Sequence, residues 1–399
     1  MRRDDLLIGR RPLIVLIVLL SMFGPISTDM YLSGLPQMMS DFGTTESVMN
    51  ISLYLFMLVF AFSILILGPT SDKYGRRKVL MISMIIYASA SFFCSICNDV
   101  VLFIIVRGIQ AIGAGGGLTA AFALIKDCFK GKEMSHILSI TAAIGVLGPI
   151  LSPVLGALMI SLIDWRATFW IPGIISLTCL VLAIGLPSTI PEERQASVIS
   201  AVKSVLTIAR NTNFLMFTVM MTVFTSSLLA YISVSSYVYQ KGFGFDPNQY
   251  SAMLAIGCIS GLVISIIMRK ILTNAPRKML ALMFLLGVLG LAIMTFVAKE
   301  GWMFFLAGII PYAAICTTTR SFGFGILMNN HEGNNGAVSS ILNFSTFLLA
   351  FFGMLIASSF PNDAFIYGVA TVMAISCTVF FTLWMILRHR GYPLAGLEA

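Results

Sequence analysis

The sequence predicts an all-α integral membrane protein with twelve transmembrane helices, arranged as two six-helix bundles. Its 399 residues are 58% hydrophobic and only 11% charged, whereas soluble domains carry about 25% charged residues. The apolar residues fall into twelve runs whose lengths suit a membrane-spanning helix, which needs about 20 apolar residues. Runs of this length are too long for barrel strands, so helices that satisfy their own backbone hydrogen bonds are expected.

Charged or turn-rich breaks separate the twelve runs. The first run follows Arg10 and Arg11 and is too long for the core of a signal peptide, so we interpret it as the first span. The predicted spans are 13–36, 47–68, 78–97, 100–124, 136–162, 167–187, 213–237, 249–269, 279–298, 301–328, 336–359 and 364–387.

The longest break, 188–212, predicts a cytoplasmic linker between an N-terminal bundle at 1–187 and a C-terminal bundle at 213–399. Lys and Arg favour the cytoplasmic side of a membrane. Alternating loops place twenty of the 25 Lys and Arg residues on the side of the two termini and three on the other side. We therefore expect a multi-pass protein of the cytoplasmic (inner) membrane with both termini in the cytoplasm.

A basic segment between spans 2 and 3 combines glycine, aspartate and arginine. It reads GPTSDKYGRRK from Gly68 to Lys78 and resembles motif A of the major facilitator superfamily. The resemblance implies that this segment is a latch that closes the cytoplasmic side of the protein; the alternative is that its basic residues only anchor the helix ends. The implied latch residues are Gly68, Asp72, Gly75, Arg76 and Arg77, with Asp127 at the end of span 4 as their acidic partner.

Span 4 contains an arginine within an apolar run. The stretch from Arg107 to Gly113 reads RGIQAIG and matches motif B of the superfamily, R-x-x-Q-x-x-G. An arginine inside a span costs at least about 2.5–3.5 kcal/mol on insertion scales, so it needs a partner or a water-filled cavity. The alternative is that Arg107 extends along the helix to reach the membrane interface.

Span 5 is rich in glycine and proline. Its pattern G-x-x-G-P-x-x-x-P-x-x-G is similar to motif C, which marks antiporters within the superfamily. Proline kinks a helix and glycine admits close helix approach, so the implied function is to resist leak through an unloaded transporter, against the alternative of ordinary packing. The residues of this antiporter helix are Gly145, Gly148, Pro149, Pro153 and Gly156.

The end of span 1 narrows the resemblance further. The stretch from Asp29 to Pro36 reads DMYLSGLP, similar to the D-M-Y-L-P-x-L-P signature of the Bcr/CflA drug-resistance branch. Ser33 and Gly34 stand where that branch often has proline. The branch consists of twelve-helix drug:proton antiporters, so the resemblance implies multidrug efflux, antibiotic resistance and proton coupling.

Asp29 is the only one of the seventeen acidic residues predicted to lie well inside a span. Arg107 has a similar predicted depth in span 4, and in the superfamily fold spans 1 and 4 line the same cavity. Burial and a nearby cation act in opposite directions on the proton affinity of a carboxyl group. We therefore expect Asp29 and Arg107 to couple proton movement to transport; the alternative is a static ion pair.

A cavity with a carboxylate and many aromatic rings suits small amphipathic compounds, including cations. Arg320 in span 10 has no acidic partner within the predicted spans, and it either lines the cavity or extends toward the cytoplasm. The predicted substrate contacts are Tyr31, Tyr54, Gln110, Phe224, Tyr231, Tyr237 and Asn343.

These observations predict a proton-coupled exporter, an antiporter of small amphipathic compounds or drugs that works by alternating access. The alternative is an exporter or proton-coupled importer of the same fold for one metabolite, such as a sugar, nucleoside or siderophore. No metal-spaced or nucleophilic cluster and no nucleotide-binding glycine loop is present in the sequence, so we do not expect an enzyme. The expected partners are a small-molecule substrate, protons and the lipid bilayer; no cofactor, metal or nucleic acid is expected, and the protein is predicted to be a monomer.

Overall fold

The computed structural model describes residues 9–186, 210–272, 275–329 and 335–390, and all regular structure in these ranges is helical. Within these ranges, eleven helical segments are long and apolar enough to cross a membrane, and a further apolar stretch, Leu147–Leu162, lies within the predicted fifth span. The predicted all-α membrane fold is confirmed. The helices are α1 (Arg10–Ser21), α2 (Phe23–Asp29), α3 (Leu35–Asp41), α4 (Glu46–Tyr74), α5 (Arg76–Ile96), α6 (Val100–Cys128), α7 (Gly131–Leu162), α8 (Trp170–Ile184), α9 (Thr212–Tyr237), α10 (Pro247–Leu272), α11 (Pro276–Phe296), α12 (Trp302–Asn329), α13 (Asn335–Ser358) and α14 (Phe365–His389).

The first predicted span is not one continuous helix. It is divided into α1, α2, a short 3₁₀ turn at Leu32–Gly34, and α3, so it ends at Asp41 and not at residue 36. Pro36 is one reason for the break, because its ring removes a backbone donor and clashes with the carbonyl four residues earlier in a regular helix. Hydropathy does not reveal the break, since the whole segment is apolar.

The segment after the second span is also more helical than predicted. Helix α4 continues through Gly68 and Pro69 to Tyr74, so the break predicted between the spans 47–68 and 78–97 is wrong over most of its length. The turn is confined to Gly75, whose φ of +96° lies where glycine is favoured because it has no Cβ.

Contacts group the chain into two compact units. The first contains Met1–Thr44 and Leu55–Lys203, and the second contains Thr45–Tyr54 and Ser204–Ala399. Within the first unit, α5 packs against α6 and α8, and α7 runs along α1 and α2. Within the second unit, α9 packs against α12, α13 and α14, and both α10 and α11 pack against α12. Most of the predicted linker lies outside the described residues, so the bundle boundaries remain a prediction.

Candidate functional site

Asp29 is the last residue of α2, at the break in the first span. Its side chain is 6% exposed, and the hydroxyl of Thr28 donates a 2.8 Å hydrogen bond to its Oδ1. In the part of the chain that the structure describes, no cation forms an ion pair with Asp29. The structure therefore buries this carboxyl group, as predicted, with a neutral hydroxyl as its partner.

Arg107 is fully buried, but its guanidinium group does not pair with Asp29. Nη1 donates to Oε1 of Gln110, and Nη2 donates to the carbonyl oxygen of Ser27 at 2.8 Å. The rings of Phe56 and Tyr31 have their centroids 4.4 and 4.5 Å from the guanidinium carbon. Arg107 thus binds the main chain at Ser27, two residues before Asp29. Among the described residues, the ion pair between Arg107 and Asp29 that the sequence suggested is not formed.

A polar network extends from Arg107 to a third helix. Nε2 of Gln110 donates a 2.6 Å hydrogen bond to the hydroxyl of Ser91 on α5. The hydroxyls of Ser27 and Tyr87 lie 2.6 Å apart, so α5 also contacts the segment before Asp29. These partners were not predicted from the sequence, although the four-residue spacing of Tyr87 and Ser91 places both on one face of α5.

A small pocket lies beside Arg107 within the first unit. Its empty volume, counted together with space open to solvent, is about 160 Å³, and even this upper bound lies below the roughly 300–1,000 Å³ of pockets that hold drug-sized ligands. It is lined by α2 and α6 and by residues near the start of α8, such as Phe169 and Pro172. The pocket surrounds the buried guanidinium group but is too small for a drug-sized substrate.

The predicted antiporter helix, α7, packs along the broken first span. Gly148 faces the ring of Pro25, and Gly156 faces the carbonyl oxygen of Met30. Helix α7 continues through both of its prolines to Leu162. The glycines therefore admit close contact with the first span. Of the motif residues on this helix, Gly145 and Pro149 are half-buried and Pro153 is buried.

The predicted latch residues form a cluster around Arg76. Its guanidinium group makes ion pairs with Asp72 and with Asp127, the latter at 3.1 Å from Nε to Oδ2. Its Nη1 donates a 2.6 Å hydrogen bond to the hydroxyl of Ser71, and that hydroxyl donates to the carbonyl of Gly68. Arg76 thus connects the end of α4 with the end of α6, and the function of this cluster as a latch remains a prediction.

Among the remaining predicted residues, Tyr31 and Gln110 lie around Arg107. Arg77 is half-buried beside the Arg76 cluster, and no hydrogen bond or ion pair within the described ranges involves its side chain. The side chain of Arg320 lies outside the described part of the chain.

The other predicted substrate contacts belong to the second unit, and each has partners there. Their role in binding substrate remains a prediction. Tyr54 meets the ring of Phe351 at 5.8 Å, Phe224 packs against Tyr312 and Phe380 at 5.6 and 5.0 Å, the hydroxyl of Tyr231 lies 3.0 Å from that of Tyr239, Tyr237 is 6.0 Å from Phe365, and Asn343 donates a 3.0 Å hydrogen bond to the carbonyl of Ser339.

A polar cluster in the second unit was not predicted. Glu46, the first residue of α4, forms a salt bridge with Lys241 at 2.6 Å from Oε1 to Nζ. Its Oε2 also accepts a 2.7 Å hydrogen bond from Nδ2 of Asn362. Four residues later, Nδ2 of Asn50 donates to the hydroxyl of Ser358 at 3.0 Å. The available signal was that Glu46 and Lys241 have opposite charges and both lie at the predicted external ends of spans.

The sequence profile of the Major Facilitator Superfamily matches residues 15–354. The chain belongs to the major facilitator superfamily. It is therefore a multi-pass membrane transporter and not an enzyme, as predicted. In the described ranges, no group of three or more His, Cys, Asp or Glu side chains is placed to hold a metal ion.

Two relatives and one solved structure illustrate the relationship. Multidrug resistance protein MdtL of Shigella dysenteriae serotype 1 (strain Sd197) is 27% identical over 380 residues, which cover 94% of this chain and 95% of MdtL. The uncharacterized MFS-type transporter YdgK of Bacillus subtilis (strain 168) is 29% identical over 252 residues, 62% of this chain and 63% of YdgK. The structure of the peptide transporter POT in complex with sulfate has a TM-score of 0.75 at 10% identity and covers 99% of both chains, a likeness of fold alone.

Proposed function

We propose that this transporter is a proton-driven antiporter that exports small amphipathic compounds, with Asp29 as the residue that carries the proton. The main support is the environment of Asp29, a buried carboxyl group with a hydroxyl partner and no ion pair among the described residues. The protonation state of such a group depends on whether water reaches it. Because Arg107 is held by Ser27 and Gln110, it does not lock Asp29 in a permanent ion pair.

The proposed cycle is alternating access by the two six-helix bundles. In the inward-facing form the protein takes up substrate from the cytoplasm while Asp29 releases its proton. In the outward-facing form a proton binds Asp29 and substrate leaves. The Arg76 cluster supports this cycle, since its three charged side chains connect two helix ends and can separate when the cytoplasmic side opens.

Export and antiport have separate support. The glycine and proline pattern of α7 resembles the motif that marks antiporters, and its glycines lie against the segment that bears Asp29. The relative MdtL is named a multidrug resistance protein, which supports amphipathic drugs as the substrate class. The proposal includes a cytoplasmic (inner) membrane location, cytoplasmic termini, a monomeric protein, and a proton gradient as energy source without a cofactor.

The test uses the full chain in liposomes with an acidic lumen and tetraphenylphosphonium as a cationic probe. We expect the wild-type protein to accumulate the probe against its gradient, whereas Asp29→Asn retains downhill exchange and loses uphill transport. The matched control is Asp41→Asn. Asp41 is on the same span, but it is partly exposed, and its Oδ2 accepts a 2.7 Å hydrogen bond from Nε1 of Trp165. We expect this variant to keep uphill transport. Uphill transport by Asp29→Asn would contradict the assignment of the proton site.

The substrate class is tested with the same vesicles. Neutral amphipathic drugs, xylose and uridine are compared with tetraphenylphosphonium. Transport of several unrelated amphipathic compounds supports the proposal, whereas transport confined to the sugar or the nucleoside would identify a transporter for one metabolite.

A further inference from the structure

The break in the first span lies directly against the backbone of α7. Helix α2 ends at Asp29, and Met30 follows as a turn residue. A Cβ atom built on Gly156 would lie 1.7 Å from the carbonyl oxygen of Met30 and 2.7 Å from its carbonyl carbon. The peptide group between Met30 and Tyr31, one residue after Asp29, therefore occupies space that any side chain at position 156 would fill.

Polar contacts fix the same segment on the side of α5 and α6. The carbonyl of Ser27 accepts a 2.8 Å hydrogen bond from Arg107, and the hydroxyl of Ser27 meets that of Tyr87. The backbone is thus held two residues before Asp29 and one residue after it. Because Met30 contacts α7 and Ser27 contacts α6, a relative movement of these helices must displace the backbone that carries Asp29.

We propose that Gly156 is a positioning residue for Asp29. By admitting the carbonyl of Met30 against α7, it fixes where the first span breaks, and with it the orientation and hydration of the Asp29 carboxyl group. This inference rests on the proposed function, in which Asp29 carries the proton. It gives the glycine-rich helix a direct mechanical connection to the proton site, through one main-chain contact.

Few titratable groups contact this segment, so a change at position 156 acts through the backbone and not through a new charge. Arg107 of α6 and Tyr87 of α5 touch it through Ser27. The charged or titratable residues of α7 lie in its first two turns, about 30–36 Å from Gly156 at 1.5 Å per residue. These residues of α7 are Lys132, Glu133 and His136. The other titratable residues on the neighbouring helices are Cys94 of α5 and Cys179 of α8, besides the charged residues at the helix ends.

The test follows the protonation of Asp29 without requiring a transported substrate. Infrared difference spectra of the reconstituted full chain are recorded across a pH titration, and the carboxyl band that Asp29→Asn removes is assigned to Asp29. We expect Gly156→Ala to move the midpoint of this band by about one pH unit or more, which is a tenfold change in proton affinity. A midpoint unchanged from wild type would overturn the inference.

The matched control is Gly353→Ala in the second unit. A Cβ at Gly353 would lie 2.3 Å from the carbonyl oxygen of Ser226, so this variant creates the same kind of clash without touching the segment of Asp29. We expect it to lower thermal stability and leave the Asp29 midpoint in place. An equal shift in both variants would show a general effect of destabilisation and would also overturn the inference.

A second variant covers the case in which Gly156→Ala is not recovered in folded form. Met30→Gly loosens the same peptide without adding an atom to α7, and we expect it to move the Asp29 midpoint as well; an unmoved midpoint then refutes the inference. The proposed function fails separately, if no pH-dependent band disappears in Asp29→Asn and that variant still drives uphill transport.

Discussion

Substitution of Arg107 distinguishes a hydrogen-bond donor from a counter-ion. Its side chain is fully buried, donates to Ser27 and Gln110, and lies against two aromatic rings. If these contacts define the function of Arg107, a positive charge at position 107 does not stabilise the fold without the planar guanidinium group that makes them. We therefore compare Arg107→Lys, which keeps the charge, with Arg107→Met, which removes the charge and keeps much of the volume.

The expected magnitudes follow from the contacts of Arg107. Hydrogen bonds that involve a charged group contribute about 1.5–3 kcal/mol each, so Arg107→Met loses about 3–6 kcal/mol from two of them. It also loses the cation–π attraction to Phe56 and Tyr31, which contacts of the methionine sulfur with the rings replace in part. The methionine also removes the desolvation cost of a buried cation, which is several kcal/mol, so its net effect is within about 2 kcal/mol. Arg107→Lys retains that cost and, because an ammonium group is more strongly hydrated and not planar, loses about 3–5 kcal/mol from one hydrogen bond and the ring contacts.

The assay is thermal unfolding of the purified protein in one detergent at one scan rate, since membrane-protein unfolding is commonly irreversible and depends on rate. We expect the midpoint to decrease in the order wild type, Arg107→Met, Arg107→Lys. If the lysine variant is as stable as the wild type, a positive charge alone is sufficient. Arg107 would then act as a counter-ion, and the separation of Arg107 from Asp29 would not describe the functional protein.

Two further predictions concern the clusters at the helix ends. Asp127→Asn should lower the unfolding midpoint more than Asp72→Asn, because the Asp127 side chain is 17% exposed and that of Asp72 is 42% exposed. We expect a loss of stability of about 1.5–3 kcal/mol for Asp127→Asn and about 0.3–0.5 kcal/mol for Asp72→Asn. Equal losses would contradict the packing of Arg76. Glu46→Gln should lower the midpoint at low salt and less at high salt, because Lys241 is 42% exposed and its attraction to Glu46 is screened; a salt-independent difference would show that the charge of Glu46 does not contribute.

The sequence predicted those residues of the site that stand out by the energetic cost of placing a charge in lipid or by a local sequence motif. A carboxylate within an apolar run is expensive in lipid, so Asp29 was recognisable by its position alone, and the structure buries it. The motif around Arg76 was recognisable because its glycine, acidic and basic residues are close in sequence. Its partner Asp127 also followed, since it ends a neighbouring span and carries the opposite charge.

The partners of Arg107 could not be predicted, because they depend on where the first span breaks. Hydropathy gives one apolar run from residue 13 to 36, and nothing in that run indicates that Ser27 offers its carbonyl to α6. The break is accommodated by Gly156, more than a hundred residues further along the chain. The positions of charged side chains in the sequence do not reveal hydrogen bonds to main-chain carbonyls or close helix contacts. From charge alone, the expected partner of Arg107 was therefore Asp29, the acidic residue at a similar predicted depth.

The separation of Arg107 from Asp29 has a consequence for the exchange of substrate and proton. Arginine stays charged at all relevant pH values, so the interior of the first unit has no net charge from this pair when Asp29 is ionised and one positive charge when Asp29 is protonated. Under the proposed function, a cationic substrate is accepted in the first state and repelled in the second, through a low-dielectric medium that strengthens the repulsion. An arginine locked to Asp29 in an ion pair would oppose protonation. An arginine held instead by Ser27 and Gln110 leaves the proton free to bind, and its own charge then helps to expel the cation.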